Sequence, residues 1–74
     1  MNKVYLIHPK KGSYFVGCLV IAAISAKEAD IIREKYEKDY QYHVELEKAV
    51  EDHCLNGVYS FNSGILINEI KFDY

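Results

Sequence analysis

The chain has 74 residues, of which 50% are hydrophobic and 27% charged, with a formal net charge of −2. That length makes residues 1–74 a single domain that buries only about 60% of its unfolded surface, and the apolar content excludes a disordered tail. Lys3, Lys10 and Lys11 are the only charges before Lys27, and an acid-rich stretch follows to Asp52; three lysines fall short of the broad basic face that counterion release demands, which argues against general nucleic-acid binding.

Cys18 and Cys54 form no spaced disulfide framework, and no secretory segment precedes them, so both are expected as reduced thiols in a cytoplasmic protein. The apolar run from Tyr14 to Ala26 is too short to span a bilayer, and no membrane association is expected.

In chain order, Val4-Tyr5-Leu6-Ile7 reads as the first strand, and His8-Pro9 should end it because proline has no N–H to give a ladder. After the turn Pro9–Ser13, residues 14–24 are apolar on both alternating sets, which predicts a central strand covered on both faces. Ser25 with Glu28 three positions on reads as a capping box. Ala29, Ile32, Tyr36 and Tyr40 then recur at helical spacing opposite Glu34, Lys35, Glu37 and Lys38, so a helix is predicted over 26–39 with one face on the sheet.

Residues 41–57 carry two periods. Tyr42, Val44 and Leu46 alternate as in a strand, whereas Leu46, Ala49, Val50, His53 and Cys54 follow a helix, which predicts a strand at 42–47, a helical segment at 48–55 and a stop at Asn56-Gly57. A single helix over 45–55 is the alternative. Val58–Phe61 and Ile65–Phe72 read as two strands around Asn62-Ser63-Gly64, the length of a hairpin with a bulge. The expected fold is α+β: an antiparallel sheet of four to five strands with one main helix packed on one face, in the order β-β-α-β-(short α)-β-β.

Val20-Ile21-Ala22-Ala23 followed by Ser25, Glu28 and Ala29, and later Gly57-Val58 with Ser60-Phe61-Asn62 and Gly64, resembles a pattern in short uncharacterised proteins of phages and mobile elements. The likeness runs over about residues 14–64, its first half being generic strand-to-helix grammar. The acidic stretch at 47–55 and the strand after Gly64 depart from it. The resemblance implies a fold and a phage origin, and no reaction; if the chain is phage-encoded, the expected compartment is a bacterial host cytoplasm, and anti-defence is one expected use.

The chemical inventory is short. Cys18, Cys54, His8, His43 and His53 offer no closed zinc spacing, and His53 and Cys54, adjacent on a helix, would point about 100° apart; no metal, cofactor or catalytic residue is expected. Lys10-Lys11-Gly12-Ser13 lacks the first glycine of a phosphate loop and reverses its Lys-Gly order, although two lysines beside a glycine can still grip a phosphate. Seven tyrosines are an excess of a residue type enriched at binding surfaces, and Tyr36, Tyr40 and Tyr42 cluster at the helix end. The turn Ser60, Phe61, Asn62, Ser63 sets amide and hydroxyl groups beside an aromatic ring.

The leading expectation is therefore a non-enzymatic binding module that docks to a host protein or to its own copy. The alternative is a protein sequestering a small anionic ligand or nucleotide through Lys10, Lys11 and the Ser60–Gly64 turn. A homodimer is expected, with the final strand or the tyrosine cluster in the contact.

Overall fold

The computed structural model describes residues 2–55 and 60–73. Its elements are β1 (Lys3–Ile7), β2 (Phe15–Val16), β3 (Leu19–Ala23), α1 (Ala26–Asp39), a 3₁₀ turn (Glu51–His53), β4 (Gly64–Asn68) and β5 (Lys71–Phe72). β1 and β3 pair antiparallel with Tyr5 opposite Ile21 and Ile7 opposite Leu19. Because side chains alternate along a strand, these four and Ala23 share one face. They form the core with Ala29 of α1 and with Val44, Leu46 and Ala49. β4 completes the sheet in the order β1-β3-β4, so β3 is central, as its two-sided apolar run predicts, and Val4 and Ala22 are buried on the other face. The chain is thus α+β, with one main helix on an antiparallel sheet of three strands and a second sheet of two.

Both long strands read from the sequence break. The run 14–24 divides at Gly17-Cys18 into β2 and β3, and 65–72 divides at Glu69-Ile70 into β4 and β5. The two breaks face each other: Glu69 N donates to Cys18 O at 3.0 Å, and Gly17 has φ +105° at a point where a Cβ would run into the Glu69 carbonyl. Glycine alone fits that conformation and that approach. The same two segments therefore pair twice around a corner, as β3 with β4 and then as β2 with β5, where Phe15 stands opposite Phe72. Ile70 is buried at the corner, its N–H donating to Asn68 Oδ1 at 3.2 Å.

α1 has the predicted bounds, and Glu28 N donates to the Ser25 Oγ cap at 3.3 Å. The Glu28 carboxylate and the next backbone donor find partners outside the helix. Glu28 Oε1 takes the Ser63 hydroxyl at 2.8 Å, and the orphan N–H of Ala26 goes to Glu51 Oε1 at 3.3 Å. Glu51 also accepts from the buried Tyr5 hydroxyl at 3.1 Å and from Lys3 Nζ at 3.3 Å. Burial and this carboxylate push the Tyr5 phenol up to about 12.

Residues 41–55 correct the sequence reading most. The expected strand at 42–47 is reduced to one bridge, Pro9 with Leu46, and the expected helical segment at 48–55, like the single helix over 45–55, gives way to the 3₁₀ turn. Proline also does not end the pairing. Lys10 N donates to Glu45 O at 2.9 Å and Glu47 N to His8 O at 2.8 Å, so Pro9 sits at a non-hydrogen-bonded position where its missing N–H is not needed. Ser60 and Phe61 lie outside any strand, so the expected hairpin between 58–61 and 65–72 is replaced by β4 pairing with β3. Val58, Tyr59 and the Asn56-Gly57 stop lie outside the described residues.

Replacing Ser25 with Ala should cost about 1 kcal/mol, measured by urea denaturation, because it removes the cap acceptor. Gly17→Ala should cost at least about 3 kcal/mol, the upper end for strained backbone, since the facing strand must move as well. Gly12 also has positive φ, +87°, but open space around it; Gly12→Ala should cost about 1 kcal/mol. Equal losses at the two glycines would contradict the corner described above.

Candidate functional site

The helix face toward the core carries a charge where sequence spacing expects a hydrophobe. Arg33 is buried, with Nε 2.8 Å from Asp30 Oδ1 and Nη1 2.8 Å from Glu37 Oε2. The two acids also reach the irregular segment beside the helix, Asp30 Oδ1 accepting from Ala49 N at 3.2 Å and Glu37 Oε2 from Leu46 N at 3.1 Å. Glu37, read from the sequence as solvent-facing, is thus turned inward. The signal for this cluster was present: acids stand three residues before and four after an arginine that follows Ala29 by one helical turn.

The three sequence-selected tyrosines come together with two rings the sequence reading passed over. Tyr36 and Tyr40 lie 5.2 Å apart and Tyr40 and Tyr42 6.3 Å apart by ring centroid, while Phe15 stacks on Phe72 at 4.5 Å and Phe72 meets Tyr42 edge-on at 4.7 Å. Two of the hydroxyls are used internally at the corner, Tyr36 donating to Asn68 Oδ1 at 3.0 Å and Tyr40 to Ile70 O at 3.4 Å. Tyr42 is half exposed. Phe15 and Phe72 were missed because they meet only after both strands bend.

Lys10 and Lys11 line a groove of about 300 Å³ with Ser13, Tyr14, His43 and Glu45. They lie beyond the Ile7 end of β1. Ser60, Phe61, Asn62 and Ser63 lie at the opposite end, where Gly64 pairs with Ala22. There Asn2 Nδ2 donates to Phe61 O at 2.7 Å, and Ser63 is tied to Glu28. From Val4 to Lys10 the strand path covers about 20 Å, so the two groups are not brought to one pocket.

The remaining feature is β4 itself. Among the described residues, no strand pairs with its outer edge, and Gly64–Asn68 carries no charge and no proline. Ile65 pairs with Ile21 and Ile67 with Val20, either side of a β-bulge, so apolar side chains emerge on both faces; Ile65 is 42% exposed and Ile67 50%. On the helix side, Ile65 forms a groove with Ile31, Ile32, Tyr36, Lys35 and Asp39, and Ile31 is 59% exposed. Sequence reading left Ile31 unplaced. The charges Lys71 and Asp73, which would guard a straight strand, leave the edge at the corner.

No protein-family model matches the chain, and neither do curated protein sequences or solved structures. Among the described residues, no group of three or more His, Cys, Asp or Glu side chains is placed to hold a metal, and no helix is long and apolar enough to cross a membrane. Both cysteines are free and part-buried.

The hydrogen bond from Arg33 holds the Asp30 carboxyl below its ordinary value. The folded state then binds this proton more weakly than the unfolded chain, so the associated stability is present above about pH 4 and is lost as pH falls through that region. Asp30→Asn keeps an acceptor for Ala49 N but removes the charge, and should lower stability at neutral pH while flattening its decline in acid. Urea denaturation at a series of pH values checks this; an unchanged acid limb would mean that Asp30 is not coupled to Arg33 in solution.

Proposed function

We propose that the protein is a non-enzymatic interaction module that accepts an extended segment of a partner as an added strand along β4. The observation that carries this reading is the juxtaposition of an uncharged strand edge, with which no strand among the described residues pairs, and an apolar groove under α1. A strand added there would take main-chain hydrogen bonds from β4 and set every second side chain into the groove beside Ile31 and Ile65, which is how strand addition divides affinity from specificity. The groove's volume of about 410 Å³ suits one or two aliphatic side chains. If the chain is phage-encoded, the partner is a host protein in the bacterial cytoplasm, or a second copy of the chain.

A synthetic peptide of residues 63–69 is a suitable probe. Added in excess to ¹⁵N-labelled protein, it should shift the amide resonances of Gly64–Asn68 and of Ile31, and leave those of Lys10–Ser13 in place. Shifts confined to the Tyr42–Phe72 end, or none, would overturn the reading.

A second reading is favoured by the groove holding Lys10, Lys11 and His43, which suits a small phosphate-bearing ligand in spite of Glu45 in its wall. Pyrophosphate or ATP should then raise the melting temperature, and Lys10→Ala with Lys11→Ala should abolish the shift.

A further inference from the structure

We infer that the strand received by β4 is β4 of a second copy, paired antiparallel about a two-fold axis perpendicular to the sheet. Two three-stranded sheets would thereby become one sheet of six strands. The inference rests on the strand-accepting reading of this edge and names its partner.

Charge selects the copy and the direction. Residues 64–68 carry no charge, and the first one beyond them, Glu69, stands at one end only. Antiparallel pairing puts the two Glu69 side chains at opposite ends of the contact, whereas parallel pairing would set them side by side, where like charges on neighbouring strands repel. The groove beside Ile65 has one lysine and one aspartate in its wall, Lys35 and Asp39, so it presents no net charge to its own image.

Shape agrees with charge. A two-fold axis perpendicular to the sheet keeps both α1 helices on one face, so Ile31 and Ile65 of each copy close the groove from opposite sides. Ile67 of each copy meets the contact on the other face, which no helix of the described residues covers. The contact is isologous, the same surface of each copy meeting its own image. It also answers the small core of a short chain, because the exposed aliphatic side chains of the edge strand become interior ones.

Sedimentation equilibrium of the full chain at tens of micromolar should show a dimer. Ile67→Lys, at a half-exposed position, should weaken association about tenfold or more with the melting temperature of the monomer little changed, while Tyr14→Lys, at a 78% exposed position on the approach to β2, should leave the dimer intact. If Ile67→Lys fails to fold, amide exchange of the wild-type chain decides: protection at Leu66–Asn68 should rise with protein concentration, and protection independent of concentration would overturn the inference. A monomer that still binds the 63–69 peptide at β4 would overturn self-pairing and leave strand acceptance standing. A monomer that binds no peptide would overturn both. A dimer that survives Ile67→Lys and Ile31→Lys but is lost with Tyr42→Lys would place the contact at the aromatic cluster instead and refute the strand pairing.

Discussion

The buried guanidinium of Arg33 is the interaction on which the rest of the structure depends. A charged group in the interior is costly unless it is paired and hydrogen-bonded, and here the partners are acids of the same helix, Asp30 and Glu37 at 2.8 Å and Glu34 at 3.5 Å. The same oxygens that hold the guanidinium, Asp30 Oδ1 and Glu37 Oε2, also accept the backbone N–H groups of Ala49 and Leu46. Arg33 therefore fixes two carboxylates in place at the helix surface, and those carboxylates supply hydrogen bonds that the neighbouring segment would otherwise find in a ladder or a helix. Val44, Leu46 and Ala49 can be buried by a chain with almost no regular structure because Leu46 N and Ala49 N find side-chain carboxylates and Glu47 N finds the His8 carbonyl.

That arrangement explains which parts of the fold could be read in advance. The first strand, the centrality of β3 and the bounds of α1 follow from local signals: β-branched alternation, a two-sided apolar run, and Ser25 three residues before Glu28. Residues 41–55 could not be resolved by periodicity because both periods are real. Leu46 pairs with Pro9 as a strand residue would, and Ala49, three positions on, reaches the core as a helical residue would. What decides between them lies outside the segment, in the carboxylates of Asp30 and Glu37 and in the outer edge of β1, where Tyr5 bridges Cys54 and Val4 O accepts from Leu55 N. Pro9 was misread for a related reason. Its missing N–H matters only at a hydrogen-bonded register position, and register is not a local property.

The candidate site was legible in part. The terminal strand with apolar residues on both faces is visible in Ile65, Leu66 and Ile67, and so is the tyrosine cluster. The corner is not, because its cause is tertiary: Gly17 looks like a small residue in a strand until the Glu69 carbonyl is found against it. Once the corner exists, the tyrosines acquire a structural duty. Tyr36 and Tyr40 spend their hydroxyls on Asn68 and on the Ile70 carbonyl, holding the chain where it leaves one sheet for the other.

The corner also sets the character of the exposed edge. Natural sheets protect such edges with charge, proline, bulges or an early end to the strand. On a straight strand running from Ile65 to Phe72, Glu69 and Lys71 would have provided the charge. Because the chain turns at Glu69-Ile70, Lys71 pairs with Val16 in the second sheet, and Glu69 marks only the boundary. What remains at the edge of the main sheet is short, uncharged and aliphatic, with the β-bulge as its one defence. The device that lets Phe15 and Phe72 stack is thus the same one that removes the guards from β4. An edge with which no strand among the described residues pairs, next to a groove where Ile31 stays 59% exposed, is the surface on which strand addition is proposed.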